Sequence, residues 1–309
     1  LLMGAHMDTV ESTASIKYVI EDGMIKTNGS TILGADNKSA IAQIIEAIRV
    51  IREQDLPHTA LELLFTGSEE RGLLGARNLN CSLLKSRYGI LLDVSGPPGS
   101  LVVAAPTREM FVLTVKGRAA HAGIEPEAGI NAVRVAAEIA VSLPSGRLDE
   151  RTTMNISEIR GGSVSNIVPE HAAVCGEYRA HDASQCEAIR RLLHEIPSAV
   201  ALRAGATVTT DITREYEGFA LAADEPFLLF GESILHACGL KPKRIITGGG
   251  SDGNILNQRG ICCLNFSNGM SKIHSHEEYI SIADLVTGCE LLLHAAERFP
   301  AFAKEKGLL

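Results

Sequence analysis

Five short segments of this 309-residue chain place ionisable residues where an apolar run ends, and no other feature constrains the fold as much. They are GAHMDT (4–9), LGADNK (33–38), TGSEE (66–70), LLD (91–93) and KIHSHEE (272–278). Apolar runs such as LLMGAH, LELLFTG and GILLDV read as buried strands. The segment after Lys38 reads as a helix, with Ile41, Ile44, Ile45, Ile48 and Ile51 at the i, i+3, i+4, i+7 positions. A further helix is expected around residues 72–79. Buried strands alternating with helices predict an α/β sheet covered on both faces. In such open sheets ligands bind in the crevice beyond the carboxyl ends of the strands, where these segments would converge.

Residues 107–218 have a different rhythm. The order strand (EMFVLTVKG), helix (NAVRVAAEIAVSL), strand (TTMNISEIRGG), strand (HAAVCGEYRAHD), helix (SQCEAIRRLLHEI), strand (ATVTTDITREYE) is that of a ferredoxin-like α/β sandwich. After Gly218 the first pattern resumes. The expected organisation is therefore one α/β domain, 1–106 with 219–309, interrupted by an inserted domain, 107–218. Two connections of this kind predict a hinge. The chain opens on an apolar strand without a turn or cap, so an N-terminally truncated catalytic sheet is expected.

With 29 Lys and Arg against 37 Asp and Glu, the net charge of −8 argues against nucleic acid as a partner. No apolar stretch reaches the roughly 18–20 residues of a membrane span, so no membrane partner is expected. The seven scattered cysteines include no C-x-x-C and suit neither a disulfide framework nor a thiolate metal site. A cytoplasmic location is expected.

Histidines and carboxylates gathered at strand ends offer imidazole and oxygen ligands suited to zinc, cobalt or manganese. Each segment alone has an ordinary structural explanation. The His-x-Asp of residues 6–8 could be a surface turn, Glu69-Glu70 a solvated helix start, Asp36 a helix N-cap and Asp93 a strand end. All five occurring in the same strand-end context favours a shared site.

The ordered set AHMDTV, GADNKSA, LFTGSEERGLLGA, LLDVSG and IHSHEEYISI resembles the co-catalytic di-zinc metallopeptidases of the peptidase T (tripeptide aminopeptidase) type. Carboxypeptidase G and the acylases are more distant in pattern. The resemblance extends to KGRAAHAGIEPEAGINAV and SNIVPE in the inserted domain. It implies a zinc-exopeptidase-like catalytic domain with an inserted lid, and two divalent metal ions, zinc first with cobalt or manganese possible. One metal would be held by His6 and Asp93 and the other by Glu70 and His274, with Asp36 bridging. Asp8 would accept the other ring N–H of His6 and fix its tautomer. Glu69 would be the general base. The peptide bond after Asp36 would be cis, and Asn37 departs from the more usual Asp. His121 would polarise the scissile carbonyl, and Asn166 and Arg179 would hold the substrate carboxylate. His276 would be a bystander. A homodimer through the lid is implied.

Two divalent ions about 3.5–4 Å apart lower the pKa of water toward neutrality, and a carboxyl beside them can take its proton and return it to a leaving amine. The expected function is hydrolysis of the N-terminal peptide bond of short peptides. Carboxypeptidase and N-acyl-amino-acid hydrolase remain alternatives of the same fold, because they differ in which substrate end is gripped. Two further readings belong to other classes. Gly248-Gly-Gly250-Ser-Asp-Gly253 formally matches the dinucleotide-binding G-x-G-x-x-G, though no acidic residue ends the next strand. A metal-binding module without catalysis would have lost its base, and Glu69 is present.

Overall fold

The computed structural model describes residues 1–308. The chain forms two compact units, Leu1–Ala105 with the chain from Phe219 onward, and Pro106–Gly218. In chain order the first stretch contains β1 (Leu2–His6), β2 (Tyr18–Glu21), β3 (Met24–Thr27), α1 (Ala35–Gln54), β4 (Glu62–Thr66), α2 (Leu74–Arg77), β5 (Tyr88–Val94) and β6 (Ser100–Ala105). The inserted unit contains β7 (Thr107–Lys116), α3 (Ala132–Ser142), β8 (Gly146–Asp149), β9 (Thr152–Gly161), β10 (His171–Ala180), α4 (Ala183–Ala204) and β11 (Thr207–Tyr216). The chain returns through β12 (Phe219–Ala220), α5 (Pro226–Ala237), β13 (Lys243–Ile246), α6 (Asp252–Gln258), β14 (Cys262–Ser267), β15 (Tyr279–Ser281) and α7 (Ile282–Glu305).

The first unit is built on a seven-stranded sheet in the order β12-β6-β14-β5-β1-β4, with β13 also on β6. Its pairs are parallel except β12–β6 and β14–β6. Strand alternation divides the side chains between two layers. Met3, Ala5, Ile90 and Leu92 face a large core with α1, α5 and α7. Leu2, Leu64 and Leu91 face a smaller one with Leu256 of α6. His6, Thr66 and Asp93 continue the second set at intervals of two, so alternation alone aims all three to the smaller-core face. Tyr88, Phe227, Phe230, Phe299 and Phe302 pack together on the larger-core side. This cluster anchors β5 at Tyr88, the strand end opposite Asp93.

In α1, Ile44 and Ile51 are buried as the periodicity requires, whereas Ile45 faces out. The short α2 replaces the expected 72–79 helix with a single turn, because Gly75 packs directly on the Gly67 backbone. Helix α4 runs past Pro197, beyond the expected SQCEAIRRLLHEI segment, and α7 likewise continues past Pro300. The hairpin β2–β3, which pairs with β15 in a separate three-stranded sheet, was not legible in the sequence.

The inserted unit is an antiparallel sheet in the order β11-β7-β10-β9-β8. Four of these strands with α3 and α4 form the β-α-β-β-α-β order of a ferredoxin-like sandwich, and β8 adds an edge. Its core joins Phe111, Leu113 and Val115 to Ile139 and Leu193. At the end of this sheet the fully buried carboxylate of Glu109 accepts hydrogen bonds from Tyr178, from Arg190 and from Arg214 (Nε, 2.8 Å). Among the described residues no helix is long and apolar enough to cross a membrane.

Candidate metal centre

Parallel pairing sets the first part of the centre. β1 and β5 are in register through Gly4 and Leu91, two residues short of His6 and Asp93, so these ends lie level. His6 Nε2 lies 3.0 Å from Asp36 Oδ1 and 3.5 Å from Asp93 Oδ1. His274 Nε2 lies 3.2 Å from Asp36 Oδ2 and 3.1 Å from Glu70 Oε1. Each oxygen of Asp36 therefore faces a different imidazole. Among the described residues three sets of donor atoms gather within 4.8 Å: His6/Asp36/Asp93, Asp36/Glu70/His274 and His6/Glu69/Glu70.

These donors fit divalent ions. Ligands about 2.0–2.1 Å from a tetrahedral ion stand about 3.3 Å from one another, close to the distances between the donors here. His6 Nδ1 lies 3.1 Å from the backbone oxygen of Asp8, so its N–H donates there and the Nε2 lone pair is free to coordinate. Glu70 Oε1 is buried with the His274 imidazole beside it at 3.1 Å, so the two present their donor atoms to one point. Burial works to lower the pKa of His6, but Asp36 and Asp93 outweigh it and push it up to about 12. Asp36 and Glu70 likewise hold His274 up at about 10. The carboxylates thus demand positive charge, which divalent cations supply while leaving the imidazoles neutral.

Glu69 is buried, and desolvation followed by the negative charge of Asp93 pushes its pKa up to about 9. Its position comes from an unforeseen role of Asp8. The Asp8 carboxylate accepts the backbone N–H of Glu69 (Oδ1, 3.0 Å) and of Glu70 (Oδ2, 3.2 Å). The expected contact to the His6 ring is longer, at 3.6 Å. Two convergent amides occupy both carboxylate oxygens, and the ring N–H turns to the Asp8 carbonyl instead.

The Asp36–Asn37 peptide is cis. Asp36 does not act as a helix cap: its backbone is non-helical (φ −82°, ψ 104°), and its carboxylate faces His6 and His274 instead of the helix amides. His274 has a left-handed backbone (φ 61°), uncommon for a non-glycine residue and frequent at functional sites. His276 is turned away, 2.7 Å from Glu11 and 3.1 Å from the Gly29 carbonyl. In the inserted unit, a β-bridge of His121 with Ile167 and an Ala122 N–H···O=C Asn166 bond of 2.9 Å set His121 beside Asn166. Arg179 donates to Glu177 at 3.0 Å.

The glycine-rich loop does not offer a phosphate cradle. Ser251 caps α6 with its own hydroxyl, and Asn254 returns a hydrogen bond to the Ser251 N–H at 3.1 Å. Sequence reasoning missed three buried polar residues around the centre. Asn265 brackets the backbone of Asp93, accepting its N–H at 2.8 Å. Asn268 donates to Ser39 (2.9 Å) and to the Leu92 carbonyl (3.1 Å). Glu278 accepts amide N–H groups beside Asp36. Only Glu278 had left a sequence signal, four residues after His274 in the KIHSHEE segment.

The sequence signature of peptidase family M20/M25/M40 matches residues 2–298. The chain belongs to this family. As an M20/M25/M40 member it is a metal-dependent peptidase, a hydrolase whose donor set supports two metal ions. It is 35% identical over 293 residues to YqjE of Bacillus subtilis strain 168, a protein described as uncharacterised, covering 95% of this chain and 79% of YqjE. Among solved structures, the aminopeptidase PepT of Bacillus cereus ATCC 10987 superposes with a TM-score of 0.86 at 35% identity, covering 97% of this chain and 80% of that one. A tripeptidase of Staphylococcus aureus subsp. aureus mu50 gives 0.90 at 33% identity, covering 96% and 79%.

Proposed function

We propose that this M20/M25/M40 peptidase is a tripeptidase-like aminopeptidase that removes the N-terminal residue of short peptides with two zinc ions. The observation that carries the reading is the Asp36 carboxylate shared between two imidazoles, each with a further carboxylate beside it. The likeness to an aminopeptidase and a tripeptidase over nearly the whole chain supports the substrate class. His6 and Asp93 would hold one ion, Glu70 and His274 the other, and Asp36 both. Bound there, the ions supply Lewis acidity and acidify water. Their positive charge would offset the neighbouring carboxylates that raise the Glu69 pKa in the metal-free site, leaving Glu69 ionised to take the proton of the attacking water and deliver it to the departing amine. Asp8 keeps the Glu69–Glu70 turn in place through its two amide contacts.

Within this reading, the unit from 107 to 218 is a lid and dimerisation domain. His121 polarises the scissile carbonyl, and Asn166 and Arg179 receive the substrate carboxylate. The seven unpaired cysteines suit a reducing, cytoplasmic setting. The test is a panel of tripeptides with free and blocked N-termini, assayed with and without chelator. Only free N-termini are expected to be cleaved, activity vanishing with chelator and returning with zinc. Cleavage confined to N-blocked peptides would replace the reading with an acyl-amino-acid hydrolase, and release of the C-terminal residue with a carboxypeptidase.

A further inference from the structure

We infer that Glu278 is the positioning residue of the metal centre, its buried carboxylate seated among backbone amides and fixing the loop that presents Asp36. Glu278 Oε2 accepts the Gly34 N–H at 2.7 Å, and Oε1 accepts the Asp36 N–H at 3.0 Å. The residue is 1% exposed, so these bonds operate away from competing water.

The LGAD loop is shaped for this carboxylate. A left-handed residue turns neighbouring N–H groups toward one side, making a concavity that binds anions. Gly34 supplies that conformation, with φ 72°. A Cβ there would also press on the methyl groups of Thr9 and Thr13, at 3.2 and 3.3 Å. The anion in this cradle is a side chain of the protein itself. The segment from His274 to Glu278 thus grips Asp36 twice, His274 facing its carboxylate and Glu278 holding its backbone N–H. This rests on the reading of Asp36 as the shared ligand: a carboxylate serving two ions has little tolerance for displacement, and ordering its backbone before binding lowers the cost of assembling the site.

Glu278→Ala and the near-isosteric Glu278→Gln in the full chain test this. In metal-free protein, exchange of the Gly34 and Asp36 amides with deuterium is expected to accelerate about 10-fold or more in the Ala variant and less in Gln, while the β1 and β5 amides are unchanged. Titration with Zn²⁺ or Co²⁺ alone should show about 10–100-fold weaker binding for Ala, with partial recovery in Gln. With metal saturating, kcat should fall by a similar factor and KM stay within about 3-fold. Unchanged exchange with wild-type metal affinity overturns the inference. So does faster exchange spread evenly through the unit, the mark of a merely structural role. If the amide and metal responses appear but the wild type cleaves no peptide, the positioning role stands and the peptidase reading falls.

Discussion

Asp36 can face two imidazoles because its backbone is fixed on one side by Glu278 while its two oxygens diverge toward His6 and His274. Glu69 and Glu70 are adjacent in sequence but differently placed: Glu70 shares a donor set with Asp36 and His274, whereas Glu69 joins only the set with His6 and Glu70 and lies buried with its pKa raised. The separation yields an expectation at the level of one side chain. Glu69→Gln keeps the shape and removes the proton acceptor, so it should bind metal as the wild type does and lose about 10²–10⁴-fold in kcat. Metal titration beside steady-state kinetics checks it, and near-normal turnover would remove Glu69 from the role of base. Asn37 remains unexplained at this scale, since it is fully buried with neither carboxamide atom hydrogen-bonded.

At the scale of elements, the turn carrying Glu69 and Glu70 depends on the contact between α2 and the end of β4. A Cβ on Gly75 would stand 2.4 Å from the Gly67 carbonyl oxygen and 2.9 Å from its nitrogen, both backbone atoms. Gly75→Ala must therefore push the turn. It is expected to cost about 1–3 kcal/mol of stability and to weaken metal binding as Glu70 shifts. Urea unfolding and metal titration of the variant measure the two effects. If both match the wild type, the packing of α2 does not set the turn. The strands and long helices were legible in the sequence, because periods of 2 and 3.6 report which face is buried. The end of α4 was not, since proline in a helix breaks only one turn's bonding and tertiary packing carries the chain past Pro197.

For the molecule as a whole, the two units carry different electrostatic loads. In the inserted unit Glu109 loses from burial and gains more from Arg190, Tyr178 and Arg214, so its pKa is held down at about 2. A depressed carboxyl contributes stability above its unfolded pKa, and that contribution fades as pH falls through the folded value. Here the window runs from about 4.5 down to about 2, worth about 3 kcal/mol. Urea unfolding of wild type and Glu109→Gln from about pH 6 down to about pH 2 should show the variant less stable at the upper end and the gap closing as acid is added. A gap independent of pH would mean that Glu109 is not ionised in its cluster. The same net charge of −8 that argued against nucleic acid includes the carboxylates of the metal centre, where divalent ions would offset part of it.

The sequence by itself determined the alternation that sends His6 and Asp93 to one face of a parallel sheet, the interrupting sandwich, and the chemical types gathered at the strand ends. These follow from local periodicity and from residue chemistry, both readable in a single string. Only the tertiary structure decided that Asp8 serves the Glu69–Glu70 amides more closely than the His6 ring, that Ser251 closes its own helix end, and that Glu278 reaches 244 positions back to Gly34. Those outcomes depend on register and loop closure, which bring together groups whose separation along the chain carries no information about their distance in space.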